Sequence, residues 1–379
     1  MIKILMTAEC FGYGPVVTGL NVAKELIKHS DVQLSFIGTG VALEQAKMSG
    51  YFKNIKECKT YDEKHLHEIK YDIMSNDIVI ASENIPGAKY ALSLGHKCVF
   101  YIDNLMWMWD KIHDGLENLT GYIISETLPC KENFKKIVQS IKHPIFVGPL
   151  RDTGTVVNTA VENKLIINIG GCEAFIIDSS ILIEFYNKLI NQILQNTEIV
   201  NRFKKIVVCG GGTVINNIKQ QKPNTKVCIK VLSNKDYLNE ISTASHLILS
   251  SGLGNFYESL IRNKQIMYLP PVNYSQLLQE IYYDKMNLGF DILGWDKFDF
   301  YKSVEFGLDE ESGVNRVIES VKQYIQTSNS DVIDNSIHKF LSCDQSTYFS
   351  NRLQYANGLG KDSNKTIAEI ILQKFKDTL

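Results

Sequence analysis

The sequence predicts an α/β protein built from two parallel-sheet domains. Three observations carry that expectation. Short runs of β-branched residues alternate with helix-period stretches through both halves of the chain. The alternation breaks once, over a polar stretch at 148–164. Glycine loops follow several of the predicted strands, as they do where parallel strands hand over to helices. At 379 residues the chain is longer than one core ordinarily organises, which agrees with two domains.

In the first half, strands are expected at 2–6, 32–37, 78–81, 98–102, 122–125 and 144–147, with helix-period segments at 16–26, 19–28 and 87–94 between them. The N-terminal domain is placed at 1–147. The linker at 148–164 contains RDTGTVVNTAVENK, which has neither strand nor helix period. The second half repeats the pattern. A strand at 165–169 enters Gly170-Gly171, and an amphipathic helix follows near 181–196. A strand at 206–209 enters Gly210-Gly211-Gly212, and 227–231 follows. A helix at 237–244 leads to a strand at 246–249, a Ser-Gly loop and a helix beginning near Asn255. A last strand at 266–269 runs into Pro270-Pro271. This C-terminal domain is placed at 165–360. Segment 361–379 reads as a closing helix with Ile367, Ile370, Ile371 and Phe375 at helical spacing, packing back on the N-terminal domain. Two such domains with loops at strand C-terminal ends imply a central cleft that both face.

Composition narrows the function. A formal net charge of −2 without a basic stripe argues against a nucleic-acid polymer as partner. No apolar run approaches the ~18 residues needed to span a bilayer, so no stable membrane insertion is expected. The start, Met1-Ile2-Lys3, runs directly into a strand pattern and shows no secretory signal. The eight cysteines are scattered without a C-x-x-C, which reads as reduced thiols in the cytoplasm. His65 and His67 lack an accompanying acidic or thiol pattern, so no metal site is assigned.

The first glycine loop, ECFGYGPVVTG, fails the dinucleotide pattern G-x-G-x-x-G because Val17 stands at its last position. The strand at 32–37 ends in Gly38, not in the acid that would hold a ribose hydroxyl. No G-K-[ST] follows, which excludes a P-loop. The loop is left as a tight turn or as a place where a ligand approaches backbone.

The stretch HLILSSGLGNFYESLIRNKQIMYLPPVNYSQ carries more. A helix N-terminus after Gly252-Leu253-Gly254 offers free N–H groups and a positive dipole end to phosphate oxygens. Glu258, read as first-turn, favours the helix electrostatically or accepts from two ribose hydroxyls. This stretch resembles the donor-binding segment of nucleotide-sugar glycosyltransferases of the two-Rossmann (GT-B) fold, above all the UDP-glycosyltransferases and the lipid II N-acetylglucosaminyltransferase. The resemblance implies roles residue by residue. Gly252 opens the donor loop and Glu258, six residues on, holds the ribose. Gly254 and Asn255 lie beside the phosphates, Gly170 and Gly171 form the diphosphate loop, and Val231 and Leu232 lie near the uracil. Asn273, Ser275 and Gln276 stand where the family grips the donor sugar, with Ser275 replacing the usual aspartate. Segment 146–150 resembles the family's interdomain linker. A UDP-sugar co-substrate, no other cofactor and no metal are implied.

Aligned by the following valine, the family's histidine base falls on Pro15, which has neither a proton acceptor nor an N–H. Gly14 and Pro15 are therefore placed on the acceptor side. Glu9, Glu83 and Asp103 follow strand ends and are candidate replacements, Glu9 and Asp103 foremost. Trp107 and Trp109 are candidates to stack on a flat acceptor, or to pack as core. The runs GYGPVVTGL, YIDNLMW and LPPVNYSQ are similar to the group around cytosylglucuronate synthase, which implies UDP-glucuronate as donor and cytosine as acceptor. An epimerase or hydrolase of UDP-sugars on the same fold, and a non-catalytic nucleotide-sugar-binding protein, stay open. Neither the sugar, the acceptor nor the oligomeric state is legible.

Overall fold

A computed structural model describes residues 1–109, 112–151, 161–304, 307–328, 330–361 and 363–378. It divides into two compact units, Met1–Gly154 with Asn357–Leu379, and Thr155–Ala356. Most of the linker expected at 148–164 lies outside the described residues.

Unit 1 holds β1 (Ile2–Ala8), β2 (Val32–Gly38), β3 (Asn54–Glu57), β4 (Ile78–Ser82), β5 (Val99–Asp103), β6 (Gly121–Ser125) and β7 (Pro144–Val147) in one sheet of order β3-β2-β1-β4-β5-β6-β7. Every pairing is parallel. All six strands expected in this half are present. The seventh, β3, is polar and mostly exposed, so it carries no apolar run. The sheet reverses direction of growth between β1 and β4, the crevice where open α/β sheets bind ligands.

One face of this sheet is covered jointly by the Gly14–Leu26 helix and the closing helix Ser363–Lys376. Val16, Leu20 and Ala23 from the first join Ile367, Ile371 and Phe375 from the second in the core. The chain returns to unit 1 beside Gly148, where an added Cβ would sit 2.0 Å from the Leu359 carbonyl oxygen. No side chain fits there, so Gly148 permits the two segments to meet.

Unit 2 holds β8 (Lys164–Asn168), β9 (Lys205–Cys209), β10 (Val227–Lys230), β11 (His246–Leu249), β12 (Gln265–Tyr268) and β13 (Asp291–Ile292) in the parallel order β10-β9-β8-β11-β12-β13. Its reversal point lies between β8 and β11. The two-residue β13 was too short to read from sequence. Behind the sheet, Phe185 packs on Tyr186, Trp295 and Tyr324 with ring centroids 4.8 to 5.9 Å apart. Arg352 is fully buried and donates to the Leu288, Lys264 and Gly289 carbonyls and to Gln345 Oε1. Among the described residues no helix is long and apolar enough to cross a membrane.

Candidate functional site

The register of unit 1 lines up Ala8 with Ser82 and Ser82 with Ile102. The next residue on each strand is Glu9, Glu83 and Asp103, so the three carboxylates named from sequence stand side by side at the reversal point. Backbone bonds hold them there, from Glu9 N–H to Ser82 O (3.1 Å) and from Glu83 N–H to Ile102 O (2.9 Å). Their surroundings separate them.

Asp103 is 1% exposed and accepts from Tyr122 Oη at 2.8 Å and from the Leu105 N–H at 2.6 Å. Burial pushes its carboxyl up to about 6, against those two bonds. It is a buried strut between β5 and β6, and the structure gives no support to its sequence-based role as base. Glu9 is 8% exposed, and its Oε2 accepts from Asn84 Nδ2 at 3.3 Å. Asn84 also donates to Thr60 Oγ1 and accepts from the Gly87 N–H, capping the Ile85–Ser93 helix. Glu83 is half-buried, and its backbone lies in the left-handed region at φ 53°. Its Oε1 accepts from Asn104 Nδ2, which also donates to Thr18 Oγ1 at 2.9 Å. Arg151, itself 3% exposed, donates to the same Thr18 oxygen at 3.0 Å. Thr18 in turn donates to the Gly14 carbonyl at 2.9 Å.

That chain of bonds ends at the start of the Gly14–Leu26 helix, where no side chain caps the first turn. Pro15 occupies a position where proline is favoured, because its missing N–H would be unsatisfied anyway. It is buried, and its carbonyl accepts from Ser82 Oγ at 2.7 Å. Gly14 is exposed with open space around it. Trp107 is 3% exposed, so the stacking expected of it is unavailable and the residue is core. Trp109 is half-buried and packs edge-on to His113.

In unit 2 the reversal point is lined by backbone. Gly170, at φ 75°, leaves β8, and its carbonyl accepts from the Gly211 N–H at 2.9 Å. Gly171 beside it is buried. A Cβ on Gly170 would come within 2.7 Å of Ser250 Oγ, so only glycine fits between β8 and the loop after β11. Across that loop, Gly252 is the N-cap of the Leu253–Ile261 helix, with no side-chain cap and no acid in the first turn. The space beside Gly252 is open. Unpaired N–H groups of a nine-residue helix therefore converge there, Gly254's among them. Ser251 is held from below by Glu280, and its carbonyl accepts from Tyr283 Oη at 3.1 Å. Burial holds the Glu280 carboxyl well above its ordinary range. Val231 and Leu232 are half-buried at the end of β10.

The side chains expected to touch a donor are largely committed inside the protein. The helix begins at Leu253, not near Asn255, which moves Glu258 into the second turn. Glu258 is 5% exposed and ion-paired with Arg262, four residues on. Asn255 uses its whole hydrogen-bonding capacity. Its Oδ1 accepts from Tyr237 Oη (2.7 Å) and Asn168 Nδ2 (3.2 Å), and its Nδ2 donates to the Ser250 carbonyl (3.0 Å) and Oγ (3.1 Å). It ties the ends of β8 and β11 together in place of the ligand contact expected of it. Asn273 and Gln276 form a reciprocal helix cap. Asn273 Oδ1 accepts from the Gln276 N–H (2.9 Å) and from Ser275 Oγ (3.0 Å), while Gln276 Oε1 accepts from the Val272 N–H (3.0 Å). Sequence reasoning missed Asn104, Thr18 and Arg151 in unit 1, and Asn168 and Tyr237 in unit 2. Their partners lie far away in sequence, so no local signal marks them.

Among the described residues no three His, Cys, Asp or Glu side chains gather as a metal-binding group. No protein-family model matches the chain, and no curated protein matches it in sequence. Solved structures do match it in fold. MurG of Acinetobacter baumannii is 13% identical, with 98% of this chain and all of that one covered at a TM-score of 0.54. The spinosyn forosaminyltransferase SpnP is 8% identical, with 99% of each chain covered at 0.59. MnaA of S. aureus, solved with UDP, is 11% identical, with all of this chain and 98% of that one covered at 0.57. The chain has the two-domain α/β fold of these proteins.

Proposed function

We propose that the protein is an inverting glycosyltransferase that moves a sugar from a UDP-sugar to a small acceptor. The observation that carries this reading is the uncapped helix N-terminus at the reversal point of unit 2, where glycine backbone is open to a diphosphate. The fold neighbours support it, since one is a forosaminyltransferase and another holds UDP.

In this reading the acceptor's oxygen or nitrogen bonds to the anomeric carbon while the carbon–oxygen bond to the diphosphate breaks. The electron pair leaves on UDP. N–H groups of Leu253 and Gly254 and the dipole of their helix stabilise the charge that develops there, which is where preorganised donors help most. Backbone at Gly170 and Gly171 lies beside the same diphosphate, and Val231 and Leu232 border the base. Glu258 meets the ribose only if Arg262 yields part of its hold. Asn273, Ser275 and Gln276 act on the sugar through the shape of their capped turn. Unit 1 supplies the acceptor's site around Gly14. Because backbone supplies the stabilisation, turnover is expected to survive EDTA. The finer assignment is UDP-glucuronate as donor and cytosine as acceptor, a flat heterocycle whose nitrogen needs less activation than a sugar hydroxyl.

The test is calorimetry of UDP binding, followed by mass spectrometry of products. UDP-glucose, UDP-N-acetylglucosamine and UDP-glucuronate are each incubated with nucleobases and small alcohols. A conjugate plus UDP is expected. Donor consumed without a conjugate would make the protein a hydrolase or epimerase, and no UDP binding would sink the reading altogether.

A further inference from the structure

The geometry points to Glu83 as the group that takes the acceptor's proton, an assignment that rests on the transferase reading above. Three carboxylates share the reversal point of unit 1, and two of them are enclosed. Asp103 is 1% exposed beneath Tyr122, and Glu9 is 8% exposed against Asn84. Glu83 alone of the three is partly open.

Its backbone supplies the second observation. Among the described residues only Glu83, Cys172 and Asn287 combine a side chain with a positive φ. At 53° the left-handed conformation crowds the Cβ, and glycine is the residue that adopts it without strain. Residues held this way gather at functional sites, because the surrounding structure must hold them there. Here the strained turn releases Glu83 from the sheet's register, while Asp103 in the same row stays in it.

Third, the carboxylate is aimed. Asn104, at the end of β5, donates to Glu83 and to Thr18 with the same amide nitrogen. Thr18 is fixed by Arg151 and by the Gly14 carbonyl. The acid is thus seated beside the helix start where Pro15 has removed the expected base. As the acceptor's oxygen or nitrogen bonds to the anomeric carbon, its proton passes to Glu83, and the donor's carbon–oxygen bond breaks with its electrons leaving on UDP. Asn104, Thr18 and Arg151 are positioning residues.

The experiment compares wild type, Glu83→Gln and Glu83→Gly by UDP calorimetry, thermal melting, and UDP release from the three UDP-sugars with water and with cytosine. Expected are unchanged UDP affinity in both variants and a loss of turnover of about 100-fold or more, the range of general-base catalysis. In Glu83→Gly the melting temperature should stay level or rise, since glycine fits the left-handed turn. Added formate should restore at least about tenfold of its turnover by standing in for the missing carboxylate. Either variant turning over within about threefold of wild type would overturn the assignment. So would a lower melting temperature and weaker UDP binding alongside lost turnover, which would make Glu83 a structural residue. A wild type that binds no UDP would instead remove the transferase reading, and this assignment with it.

Discussion

The two sheets share one topology and differ in what they place at the point where it reverses. In unit 1 that point is furnished with side chains: Glu9, Glu83 and Asp103 in a row, with Asn84, Asn104 and Arg151 behind them. In unit 2 it is furnished with backbone: Gly170, Gly171 and Gly252, with Asn255 and Glu280 bracing them from inside. Side chains carry protons, whereas bare amides and a helix dipole stabilise anions without titrating. The comparison teaches that one architecture can serve proton transfer or leaving-group binding, depending on whether charged side chains or glycines end its central strands.

The comparison breaks most sharply at Gly252. Replacing it by Asp sets a carboxylate on the proposed diphosphate site, and UDP affinity is expected to fall about 100-fold or more in calorimetry. The melting temperature should hold or rise, because Asp is the better N-cap. Next comes the response to pH, which has opposite sign for two buried groups, Asp103 in unit 1 and His246 in unit 2. Asp103 is raised from 3.8 to about 6, so its folded form binds the proton more tightly. The stability it contributes is complete below pH 3.8 and lost as pH rises through 6. His246 in unit 2 sits edge-on between Phe203 and Phe340, and burial lowers it from 6.5 to about 4. Its contribution is complete above pH 6.5 and lost as pH falls through 4. Each swing amounts to about 3 kcal/mol. Urea unfolding from pH 4 to 6.5 is read as the difference between each variant and wild type, because Glu280 in unit 2 is also raised by burial and adds a slope of Asp103's sign. Asp103→Asn should remove a contribution that falls as pH rises, and His246→Leu one that grows as pH rises.

A smaller effect is expected at Asn255. Asn255→Ala unties β8 from β11 and should cost about 1–3 kcal/mol in denaturant unfolding. UDP affinity should fall by about tenfold or less, as expected when a brace goes and not a contact. The smallest is at Gly14, open and exposed in unit 1. Gly14→Asp should leave UDP affinity within about twofold, because that helix start is not where the nucleotide binds. A large loss there would erase the division between the two reversal points.

Much of this was legible in the chain. β1, β4 and β5 announce themselves as apolar runs, and the glycines after β8 and β11 mark the turns. Exposed β3 and two-residue β13 left no such run. The Glu258–Arg262 pair and the Asn273–Gln276 cap were readable as spacings of four and three, but those spacings compete with a ligand role that the same letters also suit. The saturation of Asn255 was not readable, since Asn168 lies 87 residues away. Nor was the left-handed turn at Glu83, because glutamate does not advertise that conformation. Sequence placed the three carboxylates on one end of the sheet; only burial and backbone angle could rank them.

The closing helix has a consequence for how the chain is made. Ile367, Ile371 and Phe375 complete a core whose other members, Val16, Leu20 and Ala23, are synthesised first. Unit 2 is one uninterrupted segment, whereas unit 1 is assembled from two, Met1–Gly154 and Asn357–Leu379. On a ribosome delivering about 5–20 residues per second, the earlier-made unit waits with part of its apolar face uncovered until the Ser363–Lys376 helix emerges. The later-made unit, Thr155–Ala356, is complete before that helix is made. Order of synthesis and order of completion are thus inverted, and a chain cut just before Ser363 would leave unit 1 incomplete beside a finished unit 2.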